Sequence, residues 1–165
     1  MPVVGLNHAC LLTLRDEALA IGLGEAAQVV AGQALLFGEF LAREAKEERL
    51  SLPLKPAAAP VLRHGHCHRK AFGAIDAVLD ALRLILGASP ELIESSCCGM
   101  AGSFGYQAQH YEVSMKMAEA GLLPAVRARP EAIIVADGTS CRSQIAHGAQ
   151  RQAIHLAQLL DRLLH

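Results

Sequence analysis

Five cysteines stand in this chain of 165 residues, at Cys10, Cys67, Cys97, Cys98 and Cys141. The thiol is the side chain best suited to soft metals, redox chemistry and nucleophilic attack. Cys97 and Cys98 are adjacent. Two neighbouring thiolates reach two metal atoms of a cluster more naturally than two corners of one tetrahedral site, so the pair favours a multi-iron centre. Zinc stays open as the rival, because it accepts the same thiolate and imidazole ligands. Gly99, Gly102 and Gly105 follow the pair. Without side chains there, backbone amides can approach a bound group and donate to its sulfurs. A dinucleotide loop is disfavoured, since the glycine spacing is wrong and the flanking cysteines would have no role. In His64-Gly65-His66-Cys67-His68 three imidazoles surround one thiol. Protonated, they would hold Cys67 as a thiolate, and His64 or His68 would serve as a donor beside a cluster. Covalent haem is disfavoured because residue 64 is His where that chemistry needs a second cysteine. An enzyme with Cys67 or Cys98 as nucleophile, assisted by a histidine and Asp137, is a second class of reading, but it leaves the other cysteines idle.

These residues need elements to bring them together. Val61 opens a short apolar run before His64, Glu91 to Glu94 reads as a strand, and Ala132 to Ala136 as another. Ile75, Val78, Leu79, Leu82 and Ile85 mark a helix closed by Gly87 and Pro90, and Tyr111, Met115, Ala118 and Leu122 trace a further helical face. A last helix is expected over roughly Gln150 to Leu164. Between Gly24 and Leu50 the recurrence of Val30, Ala34, Phe37, Leu41 and Ala45 predicts one long amphipathic helix. Ser51 to Pro60, with three prolines and an alanine run, reads as a connector. The expected fold is α/β, a small mostly parallel sheet flanked by helices. In such a sheet the carboxyl ends of the strands share one edge, so the loops carrying the cysteines converge there. Helix N-termini at these loops would lower the thiol pKa values.

Superposing Cys10 on Cys141 also aligns Val3 with Ile134 and Val4 with Val135, which suggests two copies of one strand-turn-Cys-helix unit. The division expected is therefore residues 1–50 as the end of a preceding half-repeat with its helix, 51–60 as connector and 61–165 as the cysteine-rich unit. Together they form one compact domain and a piece of a longer chain. An apolar fraction of 52% is enough for a real core. Fifteen basic against sixteen acidic residues leave no positive excess for nucleic acid or an anionic membrane. No run of 18 apolar residues and no leader-like start occurs, so a cytoplasmic location is expected, reaching the membrane at most peripherally through an electron acceptor.

Taken together, His64-x-x-Cys67-His68, Cys97-Cys98-Gly99-Met100-Ala101-Gly102 and a late Gly138-x-x-Cys141 resemble the cysteine-rich CCG domain family. That family includes the B subunit of heterodisulfide reductase and the iron-sulfur subunits of glycolate oxidase and anaerobic glycerol-3-phosphate dehydrogenase. Cys10 with the following Leu11 to Glu17, and Leu36 to Leu41, look most like the large FAD-linked oxidases of the D-2-hydroxyglutarate or D-lactate dehydrogenase type. The resemblance implies ligation of a 4Fe-4S cluster, cubane or non-cubane, by Cys67, Cys97, Cys98 and Cys141, with Cys10 as a fifth ligand. It also implies FAD and ferredoxin-type clusters in partner domains absent from this chain, a 2-hydroxy acid as the parent's substrate, and a further electron acceptor. One departure stands out: Gly138-Thr139-Ser140-Cys141 replaces the family's frequent Cys-x-x-Cys, so one thiolate is missing. A structural zinc or subunit-interaction module is the alternative.

Overall fold

The computed structural model describes residues 1–73, 76, 79–80, 82–83 and 90–164. Its centre is a four-stranded, all-parallel sheet. Strands β3 (Val61–His64), β4 (Glu91–Leu92), β5 (Ile133–Ala136) and β6 (Ala153–Ile154) lie in the order β4-β3-β5-β6. Leu62 stands opposite Ile134 and Glu91, and Ile134 opposite Ala153. Alternation along β5 explains why so short a strand is apolar throughout. Ile134 and Ala136 point into one core and Val135 into the other, and a sheet covered on both faces requires this. The first core is filled by Leu122 and Val126 of α7 (Leu122–Arg127) and Ile145 of α8 (Thr139–Ala149). The second is filled by Leu41 of α4 (Phe37–Lys46) and by Leu156, Leu159, Leu160 and Leu163 of α9 (Leu156–Leu164).

Residues 1–46 build a smaller layer. β1 (Val3–Gly5) leads through α1 (His8–Arg15), α2 (Glu17–Ala20) and α3 (Glu25–Gln33) to β2 (Ala34–Leu36), which pairs with β1 in parallel and runs into α4. The α/β class with parallel sheet and flanking helices is thus as the sequence led us to expect. The continuous helix over Gly24 to Leu50 is not. Ala34 and Leu36, each 2% exposed, form β2 against β1, so the amphipathic stretch divides into α3, a strand and α4. Apolar spacing alone does not distinguish these cases, because Ala34 fits a helical period with Val30 and Phe37, and a three-residue strand is too short to show an alternation of its own. The last helix is also shorter than expected. Gln150 at φ +53° ends α8, β6 follows, and α9 begins only at Leu156. The face traced by Tyr111 to Leu122 is split by Gly121 into α6 (Tyr111–Glu119) and α7. Residues 51–60 hold neither helix nor strand. Of the helix expected around Ile75 to Ile85, Ile75, Val78 and Ile85 lie outside the described residues, and Leu79 and Leu82 are buried.

Candidate functional site

At the carboxyl edge of the main sheet, three loops gather four cysteines. Cys67 is the first residue of α5 (Cys67–Ala71), directly beyond β3. Cys97 and Cys98 lie in the loop after β4, and Cys141 is the third residue of α8, beyond β5. Cys97 Sγ donates to Cys67 Sγ at 3.8 Å. Cys98 and Cys141 share one core cluster with Cys97 packed against it, and Cys98 interacts electrostatically with both neighbours. Cys98 and Cys141 are buried, whereas Cys67 and Cys97 are half-buried. Cys10, third in α1, stands apart: it is exposed, and among the described residues no polar partner reaches its sulfur.

The Cys97-Cys98-Gly99 turn is held from below. Gly99 has φ +87°, and a Cβ there would fall 2.1 Å from the Ser114 carbonyl oxygen of α6, so only glycine lets the loop lie this close. Its amide donates to Cys97 Sγ at 3.3 Å. Ser114 is in turn gripped by the buried Gln144 of α8, which donates to its carbonyl at 3.2 Å and its hydroxyl at 3.1 Å. Gly138 serves a second close approach. A Cβ there would meet His66 at 2.7 Å, Cys141 Sγ at 3.0 Å and His8 at 3.1 Å. Gly102, at φ +66°, faces open space.

The histidines form a neutral wall. His8 and His66 pack with ring centroids 3.7 Å apart, bringing the small layer against the cysteine loop. Burial, reinforced by neighbouring cationic groups, pushes His8 to about 3, His64 to about 3 and His66 to about 4. His64 Nδ1 shares a hydrogen bond with Ser95 at 3.1 Å, and its Nε2 is buried without a partner among the described residues. His66 Nδ1 accepts from the His68 amide at 3.2 Å, which leaves any proton on Nε2. His68 rests edge-on against Phe72.

Beneath these loops lies a buried ionic cluster that sequence reading did not anticipate. Asp137, next to Gly138, accepts from Arg63 of β3 at 3.0 Å and from Arg69 of α5. Its other oxygen accepts from the Leu156 amide at 3.2 Å. Burial pushes the Asp137 carboxyl upward, but the two guanidiniums outweigh that and hold it well below the usual carboxylate range. One carboxylate therefore fixes the Cys67 helix, the Cys141 loop and the start of α9. The available signal was an arginine inside an apolar strand, Val61-Leu62-Arg63-His64, because a charge there needs a partner. Gln144 and Ser114 carried no such signal.

The thiols depart from the expected acidity. Burial and the neighbouring Cys97 raise Cys67; the hydrogen bond to Cys98, with burial, raises Cys97; and the bond to Cys141 helps push Cys98 up to about 11. The physical reason is crowding. Thiols packed against one another cannot all ionise without a cation among them, and a metal supplies that charge. Among the described residues, no three His, Cys, Asp or Glu side chains are arranged to hold one ion.

The chain is similar to parts of two kinds of dehydrogenase. It is 29% identical over 164 residues to the C subunit of the anaerobic glycerol-3-phosphate dehydrogenase of Escherichia coli (strain K12), covering 99% of this chain and 41% of that protein. It is 32% identical over 146 residues to the D-2-hydroxyglutarate dehydrogenase of the same organism, covering 88% of this chain and 14% of that protein. The Pantoea ananatis (strain AJ13355) D-2-hydroxyglutarate dehydrogenase is 30% identical over 165 residues, covering 99% and 16%. This chain thus spans well under half the length of each. No family model and no solved structure matches it. No helix among the described residues is long and apolar enough to cross a membrane.

Proposed function

We propose that the chain is an iron-sulfur electron-transfer module of a larger FAD-linked oxidoreductase acting on a 2-hydroxy acid. The observation that carries this reading is the gathering of four cysteines from three loops at one sheet edge, with Cys67 and Cys97 in sulfur contact at 3.8 Å and Cys97, Cys98 and Cys141 packed in one core cluster. These four would ligate a cluster of the 4Fe-4S type, and Cys10, exposed and apart, is left out of the set. Such a cluster, when bound, supplies one-electron acceptance and release. The chain's own residues do the rest. The Gly99 amide offsets negative charge on the Cys97 sulfur, the neutral His8, His64 and His66 keep water and protons from the inner side, and His68 and Gly102 lie at the rim. Flavin and ferredoxin-type domains elsewhere in the parent would deliver electrons, which leave to a separate acceptor. Similarity to parts of dehydrogenases supports this placement.

Anaerobic reconstitution with ferrous iron and sulfide, followed by metal and sulfide analysis and paramagnetic resonance, tests it. Iron with matching labile sulfide is expected, abolished in Cys98→Ser and retained in Cys10→Ser. Zinc alone, or full iron retained in a Cys97→Ser/Cys98→Ser double variant, would sink the proposal.

A further inference from the structure

The helix that begins with Cys67 reaches both of the other cysteine loops, through two consecutive cations. α5 has five residues, Cys67–Ala71, too few for its own hydrogen bonds to fix its direction. Its setting depends on what its side chains hold. Arg69 donates to Asp137, in the loop that leads to Cys141. Lys70 serves the other loop. Its Nζ donates to the Ser95 carbonyl, and to that of Ser96 at 3.4 Å, immediately before Cys97 and Cys98. Lys70 stands three residues beyond Cys67, so both side chains leave the helix on one face. Two contacts therefore run side by side between the same two segments: Lys70 against Ser95 and Ser96, and Cys67 against Cys97 at 3.8 Å.

The other anchors of the run from Ile93 to Ser96 lead elsewhere. The Ile93 amide donates to the Arg63 carbonyl at 2.8 Å, and Ser95 Oγ shares a hydrogen bond with His64 Nδ1 at 3.1 Å. Gly121 lies so close that a Cβ there would fall 2.9 Å from the Glu94 carbonyl oxygen. These contacts seat the run on β3 and on the residue before α7, and none of them involves α5. An ammonium suits the remaining link, because its three donors can hold two carbonyls at once and a charged donor makes the stronger bond. We infer that Lys70 is a positioning residue, which sets the distance between Cys67 and the Cys97–Cys98 pair by tying the Cys67 helix to the carbonyls just before Cys97. The inference deepens the iron-sulfur reading, in which thiolate spacing decides whether one group reaches all four sulfurs. The geometry it rests on is that of the metal-free chain.

The test uses the 165-residue chain, metal-free, reduced and kept under nitrogen. Phenylarsine oxide bridges two adjoining thiols, forming two arsenic–sulfur bonds and releasing one water, with no change in the oxidation state of sulfur or arsenic. One equivalent is added, the remaining thiols are alkylated with iodoacetamide after denaturation, and peptide masses show which cysteines were protected. Cys67 and Cys97 are expected to be protected together. In Lys70→Met and Lys70→Gln the protection of Cys67 should fall about tenfold, because capture by two thiols follows the effective concentration of one at the other, and one hydrogen bond from a charged donor is worth about that factor. Lys70→Arg keeps the charge and the donors and should restore most of it. Alkylation of the buried Cys98 and Cys141 without denaturant should stay as slow as in the unaltered chain. If these two open together with Cys67, Lys70 acts on the whole fold and the inference falls. It falls equally if Cys67 is unprotected in the unaltered chain, if neither neutral variant lowers its protection, or if Lys70→Arg fails to recover it. No step involves iron, so this inference and the proposed function fail separately.

Discussion

Gly99 is where the paired cysteines meet their support, and its two constraints are separable. Its φ of +87° excludes a side chain on backbone grounds, and the Ser114 carbonyl 2.1 Å from an added Cβ excludes it again by contact. Gly102 has only the first constraint, φ +66° in open space. Gly99→Ala should therefore cost about 3 kcal/mol or more, combining left-handed strain with overpacking, while Gly102→Ala should cost about 1 kcal/mol. Urea denaturation of the metal-free protein separates the two, and equal losses would mean that the loop does not rest on α6 as described. Asp137 is the other decisive residue. Asp137→Asn leaves Arg63 and Arg69, 0% and 2% exposed, without their shared counter-charge and should cost about 3–5 kcal/mol in the same measurement. A loss under ~1 kcal/mol would show that the cluster is not what joins the Cys67 helix to the Cys141 loop.

At the scale of elements, the turns between α8, β6 and α9 decide how the sheet ends. Gln150 closes α8 in the left-handed region, at φ +53° and ψ +35°, where glycine is the usual residue. Its side chain donates to the His147 carbonyl at 2.8 Å, but that bond is exposed and adds little. Gln150→Gly should raise stability by about 0.5–1 kcal/mol, read as a higher thermal midpoint. A lowered midpoint would mean that the exposed bond outweighs the backbone strain. The same scale explains the failure of the long helix expected over Gly24 to Leu50. Ala34 satisfies a helical period with Val30, Phe37 and Leu41, and only the presence of β1 alongside residues 34–36 converts the segment to strand. Strand formation there is a property of two distant segments, so no local window contains it.

For the molecule as a whole, the buried histidines set the response to acid. His8 and His64, 4% and 1% exposed, have folded pKa values near 3 against an ordinary 6.5, chiefly because burial disfavours the imidazolium. Between those values unfolding takes up protons. Stability is therefore full above pH 6.5 and declines on acidification, by up to about 1.4 kcal/mol per pH unit for each histidine. Asp137 acts lower. Its contribution is present above its ordinary 3.8 and is lost only as pH falls below that, towards its depressed folded value. The metal-free protein should thus be about 3 kcal/mol less stable at pH 5.5 than at pH 7.5 by urea denaturation, and equal stabilities would contradict the burial of these rings. By itself the sequence determined the α/β class, the strands ending at His64 and Ala136, and the cysteine loops beyond them, because period, turn residues and reactive side chains are local properties. Tertiary structure alone decided that Cys67, Cys97, Cys98 and Cys141 gather while Cys10 stands apart, that Cys67, Cys97 and Cys98 are less acidic than an ordinary thiol, and that Asp137 ties the loops together. Each of these depends on distances between segments far apart in the chain, and on the low dielectric created when they close on one another.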